Sequence, residues 1–444
     1  MNPLRKAYCR IFQTCFRIAL PVLPYREPRI LTSTDDVPGL LRERSVQSVL
    51  LVTDPGLKSL GLIDSLLAAL READIACPVY ADVVPNPTVA NVESALSLYK
   101  RHNCQAVIGF GGGSPMDCAK GVAARVAQPN KTLSRMRGLL KVHARTPLLI
   151  AVPTTAGTGS EVTLAAVITD GESHYKYVIN DFSLIPDVAV HDPRLTLGLP
   201  PHVTSTTGMD ALTHAVEAYI GRSTNAFTRD CAERAVVLIH DNLQAAYRDG
   251  ADMQARANML TASYLAGNAF TRSYVGYVHG IAHSLGGQYG VPHGLANAII
   301  LPHMLRAYRP VCDEKLAKLA RIANIAPADA DDATAAGAFI EWVDEMNASM
   351  GIPRYVEGIV HDDIPLMAAH ADAESNPLYP VPVLMDAGEL AGMYKVVAGW
   401  EDPAAPAAPA ADAENPAADA EGPAAGSDAP TAAAPAPAPN HTEA

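Results

Sequence analysis

From about residue 45, short apolar runs alternate with amphipathic ones along the chain. The short runs are rich in Val and Ile, as is typical of strands buried on both faces, and they read SVQSVLLVTD, CPVYADVV, CQAVIGF and PLLIAVPTT. The stretches between them, such as TVANVESALSLYKRHN, repeat apolar residues every three or four positions, which is typical of helices. This alternation predicts an α/β N-terminal domain with a parallel, doubly wound sheet.

The pattern changes after the Pro200–Pro201 pair. Long helical runs follow, such as MDALTHAVEAYI and FTRDCAERAVVLIHDNLQAAYR, and few stretches resemble strands. We therefore predict an all-α second domain. The predicted organisation is a helix in 1–27, an α/β dinucleotide-binding domain in 28–199, a helical metal-binding domain in 200–400 and a tail in 401–444.

The two ends of the chain differ from the middle. Polar residues interrupt the apolar run 11–23, which prolines end and which is too short to span a bilayer. We interpret it as an amphipathic helix that packs on the enzyme or docks on a partner, with contact to a membrane surface as the alternative. Residues 401–444 are mostly Ala, Pro, Asp and Glu, without an aromatic residue, which predicts a disordered tail with no catalytic role.

Charge and cysteine content narrow the function. The 444 residues carry a net charge of −13, which argues against a nucleic-acid binder. The tail holds eight acidic residues and no Lys or Arg, so the rest carries only −5. Seven cysteines without a C-x-x-C pair fit neither a disulfide framework nor a thiolate zinc site. Reduced thiols predict a cytoplasmic location.

Two polar loops follow predicted strands in the first half. Gly111, Gly112 and Gly113 separate a strand from a helix that Ser114 can cap, and the free N–H groups of such a helix attract phosphate. The spacing is not the Rossmann fingerprint, and a tight turn without ligand explains the glycines equally well. The second loop, AVPTTAGTGSE, carries four hydroxyl groups. Two such loops together favour a nucleotide.

Asp54 ends the first predicted strand. A carboxylate there accepts hydrogen bonds from an adenosine ribose and repels a 2′-phosphate, which favours NAD over NADP. A turn-forming aspartate is the alternative interpretation.

Candidate metal ligands lie in the second half. Asp210 and His214 are four residues apart and share a helix face, as do His279 and His283, and His293 follows. One carboxylate and several imidazoles on two helices suit Fe²⁺, Zn²⁺, Mn²⁺ or Co²⁺. Spacing alone leaves five candidates for four positions.

The chain resembles the iron-containing (group III) alcohol dehydrogenases over about residues 29–399. The resemblance lies in GGGSPMDCAK, PTTAGTGSEVT, GMDALTHAVEAY and the block from VHGIAHSLGG to PHGLANAIILPHM. It implies the dehydroquinate synthase-like fold, with an α/β nucleotide-binding domain, an all-α metal-binding domain and the active site in the cleft between them.

The resemblance also assigns residues by position. The implied metal ligands are Asp210, His214, His279 and His293, and His283 is the unligated catalytic histidine. The implied NAD-binding residues are Asp54, Asn86, Gly112, Gly113, Ser114, Asp117, Thr154, Thr155, Thr158 and Lys176. Ala165 and Ala166, with Phe270 opposite, suggest a small apolar substrate pocket.

The expected function is hydride transfer between NAD(H) and a small primary or secondary alcohol or diol and its aldehyde or ketone. A divalent metal, Fe²⁺ by resemblance with Zn²⁺ as the alternative, makes the hydroxyl more acidic, and His283 with the nicotinamide ribose relays the proton. We expect a homodimer or higher homo-oligomer, paired through PRILTS, and no nucleic-acid partner. The alternatives are a glycerol dehydrogenase-like or dehydroquinate synthase-like enzyme, and an idle scaffold that docks through its N-terminal helix.

Overall fold

A six-stranded parallel sheet forms the centre of the N-terminal half. The computed structural model describes residues 1–171 and 176–401. The large sheet has the order β1-β9-β6-β4-β2-β3, and every neighbouring pair in it is parallel. In chain order the strands are β1 Arg29–Leu31, β2 Val49–Val52, β3 Val79–Tyr80, β4 Ala106–Gly111, β5 Gly138–Leu139, β6 Leu148–Pro153, β7 Ala165–Thr169, β8 Lys176–Asn180 and β9 Val188–Val190.

The central strands are apolar on both faces because helices cover both faces of the sheet. All residues of β2 and β4 are buried, and separate apolar clusters lie on the two sides of the sheet. The predicted parallel α/β sheet is therefore confirmed. The covering helices are α2 Val37–Glu43, α3 Pro55–Ser59, α4 Asp64–Glu72, α5 Val89–Arg101, α6 Gly113–Ala127 and α7 Leu133–Met136.

A second, three-stranded sheet was not predicted. It has the order β5-β8-β7, with β7 and β8 antiparallel. Residues in β7 and β8 alternate between buried and half-buried, so neither strand forms the continuous apolar run that revealed the strands of the large sheet. The strands β1 and β9 were not among the four strands predicted from apolar runs, because three residues are too few to show a period, although the resemblance implied a strand at PRILTS.

The C-terminal half is helical. The helices are α8 Pro201–Ile220, α9 Ala226–Arg248, α10 Met253–Ser273, α11 Tyr277–Tyr289, α12 His293–Ile322, α13 Asp332–Ser349, α14 Ile364–Ser375 and α15 Ala387–Val397. Helix α8 is buried along most of its length, since α9, α10 and α12 all pack on it. The predicted all-α part is therefore confirmed, and it begins at the proline pair.

The N-terminal run forms the helix α1 Pro3–Ala19. Asn2 caps it by accepting a hydrogen bond from Arg5 N–H. None of the helices in 1–171 and 176–401 combines the length and the apolar character that crossing a bilayer requires. The predicted tail lies outside the described residues beyond Glu401.

Candidate active site

Three helices of the C-terminal half bring four potential metal ligands together. Helix α8 carries Asp210 and His214 one turn apart, α11 carries His279, and α12 begins at His293. One ligand atom from each of these residues lies within 4.8 Å of the others. This is the donor set that the family resemblance implies. His283 is not part of it.

The protonation state of these imidazoles suits a divalent cation. Desolvation lowers the pKa of His279 well below its usual value, with further lowering from the neighbouring histidines. Desolvation likewise lowers the pKa of His214, and it lowers that of His293 to about 4 against the opposing effect of Asp210. Metal ligation requires neutral imidazole, so three neutral nitrogens and one carboxylate fit Fe²⁺ or Zn²⁺.

Glu217 fixes the orientation of the His279 ring through Nδ1, the nitrogen that does not face the cluster. It lies on α8, and its carboxylate accepts hydrogen bonds from the backbone N–H groups of Gly276 and Val278, both at 2.8 Å. The Nδ1 atom of His279 donates to it at 2.6 Å, which leaves Nε2 to face the cluster. Burial raises the pKa of Glu217 to about 7, although the backbone donors oppose this shift.

Asn297 also contacts the cluster. Its Nδ2 donates to the Oδ1 atom of Asp210 at 2.7 Å, and it lies one turn after His293 on α12. The amide therefore fixes the orientation of the carboxylate among the potential ligands. Asn297, like Glu217, was missed in the sequence, although its spacing of four residues from His293 is a signal of a shared helix face.

His283 lies beside the four ligands and has a carboxylate partner of its own. Its ring stacks on His293 with 5.1 Å between centroids, and its Nδ1 lies 2.6 Å from Oε1 of Glu374. Burial lowers the pKa of His283, but the Glu374 carboxylate more than offsets this, so the pKa is raised. The Tyr379 hydroxyl donates to the same oxygen at 2.7 Å. Neither Glu374 nor Tyr379 was identified from the sequence.

The two polar loops of the first half lie side by side. A Cβ atom added to Gly112 would lie 3.4 Å from Thr155 Oγ1, and one added to Gly113 would lie 3.2 Å from Thr158 Cγ2. The amide of Thr154 donates to the carbonyl of Gly111 at 3.1 Å. The glycines thus permit a close approach of the loops, and α6 presents its N-terminus between them.

The second loop also touches the metal-ligand helices. A Cβ atom on Gly157 would lie 2.5 Å from the carbonyl oxygen of Thr207, one turn before Asp210 on α8. Gly159 is in the left-handed conformation, with φ of +60°, and packs against Gly267 of α10. The second loop therefore packs directly against α8, the helix that carries Asp210 and His214.

The carboxylate of Asp117 binds the second loop and β7. It accepts from the Ser160 hydroxyl at 2.8 Å and from the Val167 amide at 3.0 Å. Lys120, fully buried beside it, donates to Ser160 Oγ, Thr163 Oγ1 and the Ala165 carbonyl at 2.8–3.0 Å. Burial lowers the pKa of Lys120 to about 8. Asp117 and Lys120 therefore connect α6, which follows the glycine loop, to the second loop.

The remaining predicted cofactor residues lie around the same region. Asp54 caps α3 by accepting from the amide of Leu57 at 2.9 Å. The amide of Asn86 donates to Ser114 Oγ at 3.1 Å, which places Asn86 against the glycine loop. Lys176 begins β8, and burial lowers its pKa while Glu374 opposes this shift. Their contacts with a cofactor stay predictions.

Family models cover most of the chain. The model for iron-containing alcohol dehydrogenase matches residues 31–193, and the model for the C-terminal part of the Fe-containing alcohol dehydrogenase family matches residues 204–395. The chain belongs to the iron-containing alcohol dehydrogenase family. It is an oxidoreductase of the alcohol dehydrogenase type, and the predicted family, activity class and cofactors, NAD and a divalent metal, are confirmed.

Named members of this family align over most of their length. The 1,3-propanediol dehydrogenase of Klebsiella pneumoniae is 41% identical over 339 residues, which cover 74% of this chain and 87% of the relative. Alcohol dehydrogenase 4 of Saccharomyces cerevisiae is 38% identical over 339 residues, covering 76% and 87%.

Solved structures of related enzymes have the same fold as this chain. The crystal structure of a 1,3-propanediol oxidoreductase superimposes with a TM-score of 0.81 at 36% identity, covering 84% of this chain and 99% of the other. Sulfoacetaldehyde reductase from Bifidobacterium kashiwanohense in complex with NAD+ gives a TM-score of 0.75 at 26% identity, covering 84% and 98%.

Proposed function

We propose that this enzyme interconverts a small alcohol or short diol and its aldehyde or ketone, with NAD(H) as the hydride carrier. The observation that carries the proposal is the position of the second polar loop. It contacts the glycine loop on one side and α8, one turn before Asp210, on the other. A nicotinamide held by these loops would lie next to the metal ligands.

The metal site fits Fe²⁺, with Zn²⁺ as the alternative, bound by Asp210, His214, His279 and His293. When bound, such an ion supplies Lewis acidity, which makes a hydroxyl group more acidic and polarises a carbonyl. Zn²⁺ generally binds such donors more tightly than Fe²⁺, so availability decides which ion occupies the site.

His283 is proposed to transfer the proton. Its Nδ1 is held by Glu374, so Nε2 is the nitrogen left to exchange a proton with the substrate hydroxyl, directly or through the nicotinamide ribose. Glu374 stabilises the imidazolium that forms when His283 accepts that proton. The intact donor set and this second carboxylate–histidine pair argue against an idle scaffold.

The substrate is proposed to be small. The Phe270 ring stacks on His214 with 4.1 Å between centroids, whereas Ala166, which was predicted to line the pocket with it, is buried in the apolar core of the α/β half. Phe270 therefore covers one side of the metal ligands. Relatives named for 1,3-propanediol support a short alcohol or diol over a bulky one.

One experiment tests these proposals together. The protein is purified anaerobically, loaded with Fe²⁺ or Zn²⁺, and assayed for NADH oxidation with short aldehydes, hydroxyaldehydes and ketones. We expect turnover with at least one C2–C4 carbonyl compound and none after chelation of the metal. Turnover that survives complete metal removal would contradict the proposed chemistry.

We further propose a cytoplasmic homo-oligomer that pairs through β1. Within residues 1–171 and 176–401 this strand lies at one edge of the large sheet and pairs only with β9, and Ile30 at its centre is exposed. Docking of α1 on a partner also stays a proposal. Its support is the exposed row of apolar side chains on the outer face of α1, which are Leu4, Tyr8, Ile11 and Ile18.

A further inference from the structure

Helix α1 lies outside both family models but contacts a segment inside the second one. We call residues 372–389, from the end of α14 to the start of α15, the wall segment. It contains Glu374, which binds His283, and Tyr379, whose hydroxyl donates to Glu374. Polar side chains on the inner face of α1 bind the wall segment at several points.

The first contacts satisfy backbone carbonyls of a proline-rich loop. Gln13 donates to the carbonyls of Pro377 and Tyr379 at 3.2 and 2.7 Å, and Arg10 donates to those of Val381 and Pro382, both at 2.7 Å. The loop lies between α14 and α15, and the Tyr379 carbonyl also accepts from the amide of Val381 at 2.8 Å. Gln13 is only 4% exposed. Buried carbonyls are costly to leave without a donor, so the bonds from α1 stabilise the conformation of this loop.

The second contact is an ion pair. The Arg5 guanidinium binds both carboxylate oxygens of Asp372, at 2.6 and 2.7 Å. Asp372 also accepts from the Asn376 amide at 2.7 Å, and Asn376 accepts from the Tyr277 hydroxyl at 2.9 Å. Tyr277 is the first residue of α11, the helix that carries His279 and His283. A continuous set of hydrogen bonds therefore joins α1 to this helix.

The wall segment thus has two partners on different sides. The backbone carbonyl of Tyr379 accepts from Gln13 of α1, while its hydroxyl donates to Glu374, which binds His283. A shift of this backbone would move the tyrosine hydroxyl and the glutamate away from the histidine. Partly buried carboxylate–histidine pairs keep their geometry only when the backbone beneath them is fixed.

We propose that α1 is a positioning element for His283. Arg5, Arg10 and Gln13 fix the wall segment so that Glu374 holds the imidazole in one orientation. This rests on the proposed role of His283 in proton transfer. The inner face of α1 therefore serves the reaction, and only the outer face remains for contacts with other molecules.

The test compares variants on the two faces of α1. The inner-face variant is Arg10→Met with Gln13→Leu, and Arg5→Met alone is a milder version. The control is Ile11→Ser with Ile18→Ser, whose side chains are 64% and 71% exposed on the outer face. We expect the inner-face variant to lose about tenfold in kcat, with the metal content and the KM for NAD retained, and the control to keep full activity.

A double-mutant cycle separates positioning from general destabilisation. If α1 acts through Glu374, the inner-face substitutions should lower kcat in the wild type but cause no further loss in a Glu374→Gln background. Equal losses in both backgrounds would overturn the proposal, and so would unchanged kcat in the inner-face variants.

Hydrogen exchange gives a readout that does not need activity. We expect amides of the wall segment to exchange faster in the inner-face variants, while those of α13 do not change. Unchanged protection of the wall segment would overturn the proposal. If the wild-type protein oxidised no alcohol with any metal, the proposed function would fail, whereas exchange would still report whether α1 orders the segment.

Discussion

At the scale of single residues, the surroundings of each histidine decide whether it suits metal ligation or proton transfer. His279 and His283 lie one turn apart on α11, and each binds a carboxylate through Nδ1, Glu217 for the first and Glu374 for the second. The pKa of His279 is nevertheless lowered and that of His283 raised. Desolvation and the neighbouring histidines lower the pKa of His279, whereas the charge and the hydrogen bond of Glu374 outweigh desolvation at His283. The first histidine therefore suits metal ligation and the second proton transfer.

The roles of these two histidines are separable by mutation. His283→Ala should lower kcat by about 10²-fold or more because a proton-transfer group is lost, while the metal content stays near that of the wild type. His279→Ala should lose both metal and activity. Metal analysis and steady-state kinetics on proteins purified in parallel provide the measurement, with His240→Ala as a control, since the His240 ring on α9 contacts Asp241 and Trp342. A metal-free His283→Ala protein would mean that the ligand set is misassigned.

Asp54 is expected to control the choice between NAD and NADP. Asp54→Asn keeps a side-chain oxygen to cap α3 but removes the charge that repels a 2′-phosphate. We expect the preference for NAD, measured as the ratio of kcat/KM values for the two cofactors, to fall by about tenfold. Asp74→Asn, at an exposed position after α4, is the matched control. If the ratio did not change in Asp54→Asn, the carboxylate would cap α3 without contributing to the choice of cofactor.

Sequence reasoning found residues whose partners are close in the chain and missed those whose partners are distant. Asp210 and His214 share a helix face at a spacing of four, which any single sequence displays. Glu217 lies 62 positions from His279, and Glu374 lies 91 positions from His283. Neither spacing carries a periodic signal, so only the folded chain shows that these glutamates bind the histidines.

At the scale of elements, the glycine loop and the second polar loop are connected by the buried pair Asp117 and Lys120. The sequence placed Asp117 with the glycine loop, but both its oxygens are engaged by Ser160 and Val167. The central strands of the large sheet and the helices between them were predictable because their apolar runs and periods are strong. The hydrogen bonds that join α6 to the second loop were not predictable, because they depend on the direction of the short Asp117 side chain.

Removing the ammonium of this pair should loosen both loops. Lys120→Met deletes three hydrogen bonds and leaves the buried Asp117 without its nearest cation, so we expect unfolding to become easier by about 3 kcal/mol. The KM for NAD should rise as well. Urea denaturation and steady-state kinetics measure the two effects. Lys58→Met, on an exposed position of α3, should change neither. A stable variant with an unchanged KM would show that the pair is dispensable.

At the scale of the whole molecule, the free edge of β1 offers a route to pairing of two chains. Arg29 N–H donates to Asp187, and the Leu31 carbonyl accepts from His191, so these groups point toward β9. The N–H and C=O of Ile30, between them, point the other way. An exposed strand edge of this kind is a template for a second strand.

The pairing proposal predicts a specific effect of proline. Ile30→Pro removes an outward N–H while sparing the bonds to β9, so we expect dissociation to a monomer in size-exclusion chromatography with light scattering. Ile30→Thr keeps the N–H group and favours strands, and it should remain oligomeric. The proposal would fail if both variants had the same mass as the wild type.

The contacts of α1 also bear on how the protein is made. Arg5 and Asp372 are separated by 367 positions, so the ribosome synthesises the first long before the second. During translation the charged inner face of α1 therefore stays hydrated, and the nascent α/β half folds without it. The geometry around His283, the proposed proton-transfer residue, is therefore complete only after α14 and α15 have been synthesised.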